Sequence, residues 1–336
     1  MRKIFIASIF LFCAACSGKK QNGEIYSEKS YIMSVPVEVK FYSGDISSVS
    51  KKAKSIIGEA KRISDEFSYN EAYSQTSYVN KNAYEKWVNV DMEFINLLKI
   101  SKRYYELTSG GFDPTFAPLW PIWKEAASKR KMPSQDEISK AISKIGYNNV
   151  IFDEQALKVI FLKPVELNLG GVLRGYAFYK IAEMLKKENI NEKLSLDIGA
   201  NRLCWGEGKW SYEVASPFDE KKIIGVLNFP SGVIVSSSGR SHFVEIEGKL
   251  YSHILNIKTG YPIENFSNLI VYLPDIKEDF ISSAALAILG KEKAFEMVAK
   301  QKGACAVWID GAGNVSYFAS QDSLCKWEKP KKFKIF

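Results

Sequence analysis

"SGGFDPTFAPLWPIW", Ser109 to Trp123, follows a segment that reads as an amphipathic helix. Gly110 and Gly111 end that helix. A lone carboxylate, Asp113, then stands between Phe112 and Pro114, with Phe116, Pro118, Trp120 and Trp123 close behind. A carboxylate in an apolar, ring-rich corner is costly unless its oxygens are hydrogen-bonded. Asp113 is therefore expected to meet backbone donors or a polar ligand.

Working outward, Met92 to Thr108 carries Phe94, Leu97, Leu98, Tyr104 and Tyr105 at helical spacing. Further upstream "VSKKAKSIIGEAKRISDEF" places Ala53, Ile56, Ile57, Ala60, Ile63 and Phe67 on one helical face, after the alternating strand "PVEVKFY". Downstream, Ser134 and Glu137 form a capping box for a helix ending by Gly146. "VIFDEQALKVIFL" predicts a hairpin. "LNLGGVLRGYAFYKIAEMLKKENI" reads as a strand end, a glycine turn and a helix. From Leu194 on, strand patterns dominate, broken by short helices near 281–289 and 292–301 and closed by a hairpin at "WIDGAGNVSYF". Helices and strands neither alternate strictly nor repeat. This predicts an α+β fold of mixed and antiparallel sheets flanked by helices, in one compact domain over 31–336.

The totals agree. At 336 residues, 46% hydrophobic and 25% charged, the chain can bury a sizeable core. The net charge of +8 is scattered among acids with no Arg-rich run, so no nucleic acid partner is expected. Arg2 and Lys3 precede the apolar run "IFIASIFLFCAAC", the pattern of an export signal and short for a membrane span. Ala14-Ala15-Cys16 resembles a bacterial lipobox. Residues 1–15 are then a signal peptide, and Cys16 a lipidated anchor at the head of a linker through residue 30. The expected location is the periplasmic or extracytoplasmic face of a membrane. Cys204, Cys305 and Cys325 remain, without metal-ligand spacing; an oxidising compartment allows one disulfide, with no pair selected.

Three motifs carry candidate chemistry. Gly170-Gly171, with Arg174 and Gly175 behind, opens a helix whose backbone N–H groups suit an anion. The Arg174 guanidinium fits phosphate oxygens. "YSHILNIKTGYP" holds His253, one of two histidines and a candidate proton carrier; His242 reads as structural. Tyr69 in "DEFSYN" is placed to stack on a planar ligand.

In order along the chain, these segments resemble the ApbE family of FAD:protein FMN transferases. "IMSVPVEV" stands at its Met-Gly-Thr strand start, and "FSY" through Asn80 at its Ser/aromatic-to-Asn block. "SGGFDPTF" matches its Gly-Phe-Asp-Pro-Thr signature, and "LNLGGVLRGYA" its Asp-x-Gly-Gly-x-x-Lys-Gly turn. "SSSGRSHF" and "HILNIKTGYP" match its later Ser-Gly and His-Ile-Ile-Asp-Pro-x-Thr-Gly-x-Pro blocks. The resemblance implies an FAD site lined by Met33, Tyr69, Gly111, Phe112, Asp113, Asn168, Arg174 and Leu255, with His253 near the reacting phosphate. It also implies Mg²⁺ and, as acceptors, flavoprotein subunits of membrane redox complexes.

The family's late Asp-x-x-x-Thr helix stands here as "DFISSAALAILG". Aligned on its Leu-Gly, the Asp falls on Phe280 and the Thr on Ala284. A one-residue shift restores Asp279 and Ser283 and, with Gly171, a metal set, although one residue turns a helix face by about 100°. Asn168 replaces the turn's acid, Arg174 its Lys, Tyr179 a later Asp and Asn256 another acid. Three alternatives follow: a divergent Mg²⁺-dependent transferase, an FAD-binding lipoprotein that has lost transfer, and a scaffold lipoprotein that binds no flavin.

Overall fold

The computed structural model describes residues 23–239, 243–278, 280 and 282–330. The proposed signal and lipidated cysteine, His242 and Asp279 lie outside these. Eighteen strands are described: β1 Tyr26–Ile32, β2 Val35–Phe41, β3 Val88–Asn89, β4 Val150–Asp153, β5 Lys158–Phe161, β6 Leu194–Ile198, β7 Asn201–Trp205, β8 Trp210–Ser216 and β9 Asp219–Phe229 come first. They continue as β10 Gly232–Ser238, β11 Phe243–Ile246, β12 Lys249–Ser252, β13 Leu255–Asn256, β14 Tyr261–Pro262, β15 Phe266–Leu273, β16 Cys305–Asp310, β17 Val315–Ala319 and β18 Lys326–Glu328. The helices are α1 Ile46–Phe67, α2 Gln75–Asn82, α3 Met92–Leu107, α4 Leu119–Lys129, α5 Gln135–Ile142, α6 Gly170–Lys187, α7 Ser283–Leu289 and α8 Lys291–Ala299.

The main sheet has eight strands in the order β1-β2-β6-β7-β10-β15-β16-β17, and each neighbouring pair is antiparallel. Its central strands are apolar on both faces because both faces are covered. Leu269 and Val271 of β15 turn toward the helices, into a core shared with Ile56, Ile63, Leu97, Phe178 and Ile181. Ile270 and Tyr272, one residue out of phase, join Cys204, Val307, Trp210, Leu227 and Phe229 against the small sheet β8-β9-β18. A third cluster gathers α4 and α5 around Leu255 and Ile257.

Several helices begin at a side-chain cap. Asp45, Ser74 and Asp91 cap α1, α2 and α3 through side-chain oxygens, and the Ser134/Glu137 capping box opens α5. One boundary is corrected. Tyr26 to Ser30, assigned above to the linker, pair with β2 and belong to the domain. β1 is an edge strand with one paired side and a shallow burial pattern, so its alternation is faint. Cys305 is bonded to Cys325 across a separation of 20 residues, fixing the segment before β18 to β16, while Cys204 is a buried free thiol. Among the described residues, no helix is long and apolar enough to cross a membrane.

Candidate active site

Four segments distant in sequence meet around the N-terminal end of α6. The first is the loop after α3. Ser109 and Gly110 take left-handed φ values of 51° and 84°, which turns the chain sharply out of the helix. The Thr108 hydroxyl donates to the Tyr104 carbonyl at 2.7 Å and accepts from Phe112 N at 2.8 Å. Asp113 is 4% exposed. Its Oδ1 accepts from Thr115 N at 2.8 Å and Thr115 Oγ1 at 2.6 Å, and its Oδ2 from Tyr147 N at 3.0 Å. Burial pushes the Asp113 carboxyl above the usual carboxylate range, and these three bonds oppose the shift. Asp113 thus meets the backbone donors expected of it: both oxygens accept from the protein and staple this loop to the turn before β4.

The second segment leads into α6. Asn80 brackets Leu167 with its side chain, accepting from Leu167 N at 2.8 Å and donating to Leu167 O at 2.9 Å. Asn168 N donates to Pro114 O at 2.6 Å, which ties this strand end to the first loop. The Asn168 side-chain oxygen accepts from Gly170 N at 3.0 Å, which holds the side chain against the start of the helix. A Cβ on Gly171 would fall 2.7 Å from Cε2 of Phe112, so the Phe112 ring lies directly on the glycine turn. Farther along, a Cβ on Gly175 would fall 2.1 Å from Cε2 of Phe280. Arg174 stands between these contacts, half-buried. It makes no hydrogen bond or ion pair among the described residues, and burial alone pulls its guanidinium below its ordinary value.

The third segment is the turn between β12 and β14. Ile257 N donates to Gly111 O at 3.1 Å, and Trp123 Nε1 donates to Gly260 O at 2.9 Å. His253 is half-buried between β12 and β13, four residues before the Ile257–Gly111 bond. Leu255, expected at the ligand, is instead buried with Leu119, Trp123 and Ile138. Its strand pairing opposite Pro262 turns the side chain into the α4–α5 cluster.

The fourth segment precedes α7. Ser282 caps that helix, its Oγ accepting from Ala285 N at 3.3 Å and donating to Gly171 O at 3.2 Å. Ser283, expected as a metal ligand, shares a 2.8 Å hydrogen bond with Ser237 of β10. The hydroxyl at the glycine turn is thus one residue earlier than expected. The sequence "SSAALAIL" offers two adjacent candidate caps, Ser282 and Ser283, and the structure uses the first. The described residues do not by themselves fit Mg²⁺. Gly171 O, Ser282 Oγ, Ser283 Oγ and Asn168 are all neutral, and among the described residues no group of three His, Cys, Asp or Glu could hold a metal. A hard dication is ordinarily bound through at least one carboxylate.

Two further expected residues lie at the margins. Met33 and Ser34 form the β1–β2 turn, both left-handed at φ 53° and 61°, with Met33 packed against the main core. Two adjacent non-glycine residues in that region store backbone strain. Tyr69 donates to Glu166 Oε1 at 2.8 Å, and burial with that carboxylate pushes its phenol up to about 12. It lines a cleft of about 630 Å³ with Asn80, Pro118, Lys144 and Glu166, beside the strand end that enters the glycine turn.

The family model described as the ApbE family matches residues 33–309. A protein named FAD:protein FMN transferase from Klebsiella pneumoniae (strain 342) is 26% identical over 291 residues, covering 86% of this chain and 90% of that protein. One from Escherichia coli (strain K12) is 24% identical over 350 residues, 99% of this chain and 97% of its own. The crystal structure of the ApbE protein from Thermotoga maritima superposes with a TM-score of 0.77 at 25% identity, over 87% of this chain and 96% of that one. The flavin transferase ApbE from Vibrio cholerae, at 16% identity and a TM-score of 0.70 over 88% and 96%, shares the fold. With its glycine turn, its Phe-Asp-Pro-Thr loop and its histidine-bearing turn joined at one site, and its sequence matched over most of its length, this chain belongs to the ApbE family.

Proposed function

We propose that this chain is a flavin transferase that moves FMN from FAD onto a Thr or Ser hydroxyl of acceptor flavoproteins and releases AMP. One observation carries this reading: a half-buried arginine, without a hydrogen bond or ion pair among the described residues, stands in the first turns of a helix, beside a glycine on which an aromatic ring rests. Such a guanidinium and the helix N-terminus together suit an anion, and the ring suits a planar group. A flavin dinucleotide supplies both.

Phosphoryl transfer depends mainly on alignment and charge neutralisation. In this reading Arg174 and the first amides of α6 hold the diphosphate, and Phe112 walls the flavin side. His253 takes the acceptor hydroxyl proton as the oxygen attacks the FMN phosphorus. The bond from that phosphorus to the bridging oxygen breaks, and AMP departs with the oxygen. Mg²⁺ enters only through Asp279, the one residue of the expected metal set that can add a carboxylate to the neutral oxygens. A second reading, an FAD-binding lipoprotein without transfer, is favoured by the Phe280 ring packed on Gly175 where the family carries an acid. Lipidation at Cys16 and an extracytoplasmic location complete the proposal, and the Cys305–Cys325 bond supports an oxidising compartment.

The test mixes purified protein, FAD, Mg²⁺ and a flavin-acceptor domain, then reads AMP release and covalent flavin fluorescence on the acceptor. Transfer is expected, and Asp279→Ala is expected to abolish its Mg²⁺ stimulation. Bound FAD with no labelled acceptor selects the second reading. Stimulation that persists in the variant removes Asp279 from the site.

A further inference from the structure

Tyr104 lies at the centre of the contacts around the glycine turn, although nothing in its sequence context sets it apart from a core aromatic. It is 2% exposed in the last turns of α3. Its ring meets Phe112 edge-to-face, centroids 5.9 Å apart and planes at 63°. Its hydroxyl accepts from Ser282 N at 2.8 Å and donates to the Phe280 carbonyl. Ser282 in turn donates through Oγ to Gly171 O, and Gly171 lies under the Phe112 ring. The contacts close a circuit: Tyr104, Ser282, Gly171, Phe112 and back to Tyr104.

We propose that Tyr104 is a positioning residue for FMN transfer: its hydroxyl fixes the segment before α7 against the glycine turn, while its ring fixes the Phe112 wall. The inference rests on the transferase reading. The two halves of the tyrosine serve different parts of the site, so they separate experimentally. In Tyr104→Phe the ring still supports Phe112, and the dinucleotide keeps its wall. Ser282 N–H and the Phe280 carbonyl lose their shared buried partner, and the segment shifts relative to the phosphates.

Transfer is sensitive to small displacements: an error of about 1 Å can cost about a hundredfold. Tyr104→Phe is therefore expected to lower kcat for AMP release about tenfold, with the FAD dissociation constant within about twofold of wild type. Ser282→Ala, which removes the Gly171 contact, is expected to shift kcat in the same direction. Val298→Ala, a cavity variant in α8, supplies the comparison for lost stability alone: a lower Tm with kcat unchanged. Wild-type kcat in Tyr104→Phe overturns the assignment. So does a fall in FAD affinity as large as the fall in kcat, or an equal kcat loss in Val298→Ala at matched Tm. A wild-type protein that binds FAD but releases no AMP fails at an earlier point, and removes the transferase reading along with this one.

Discussion

Arg174 and Asp113 are both titratable, partly or fully buried, and within one site, yet they do opposite things. Asp113 has spent its oxygens on Thr115 and Tyr147, so it is a staple. Arg174 makes no hydrogen bond or ion pair among the described residues, and in the proposed function it receives the diphosphate. Desolvating a guanidinium without a counter-ion is unfavourable until a ligand arrives. Arg174→Met, which keeps the length and removes the charge, is therefore expected to raise Tm while weakening FAD binding at least about tenfold, the loss of one or more charge-assisted hydrogen bonds. Thermal melts and flavin fluorescence titration check both signs; a lower Tm with unchanged affinity would place Arg174 in the scaffold. The sequence made the need of Asp113 for hydrogen-bond donors legible, because burial among rings was written beside it. It could not name Tyr147 as a donor, since a backbone amide 34 positions away leaves no mark in residue type.

Helix α6 is held against the segment before α7 by the absence of a side chain. The Phe280 ring occupies the space where a Cβ of residue 175 would stand, 2.1 Å from one ring carbon. Gly175→Ala is expected to destabilise by about 1–3 kcal/mol through overpacking, read by denaturant unfolding, and to disturb the Ser282–Gly171 contact at the same end of the helix. An alanine accepted without loss would mean that Phe280 swings away at little cost. Elements with strong periodicity were legible: α1, α3, the capped α5, the β4–β5 hairpin, α8 and the β16–β17 hairpin stand where the pattern put them. Helix α4 was not, because the stretch from Phe112 to Trp123 reads as an apolar, ring-rich corner and its prolines, Pro118 and Pro121, are poor helix signals. Proline is tolerated in a first turn, where its missing N–H has no helical partner, and Leu119, Trp123 and Ala126 then line the buried face. Helix α2 was hidden by its polarity, with only Thr76 and Val79 buried. The step from Ser283 to Ser282 has another cause: counting four residues from Asp279 selects Ser283, whereas the hydroxyl that reaches Gly171 belongs to the cap one residue before α7.

Across the molecule, the family blocks were visible as short motifs, and the fold explains why they had to be scattered. The site is assembled where the loop after α3, the start of α6, the turn after β12 and the start of α7 approach one another. The sheet beneath was legible as apolar runs; its order was not, since β2 pairs with β6 and β10 with β15 across long insertions. If Cys16 carries lipid, Cys16→Ser is expected to move the protein from the detergent-extractable membrane fraction into the soluble one. Fractionation with immunoblotting decides this, and an unchanged distribution would remove the lipid from the proposal.

The link between Cys305 and Cys325 also sets a chronology. Every strand of the eight-stranded sheet precedes Cys325, so the ribosome has delivered that whole sheet before the second sulfur exists. The second sulfur is thus not needed to lay down the strands of that sheet, and a chain kept reduced is expected to lose the clasp beside β18 while β16 and β17 still pair.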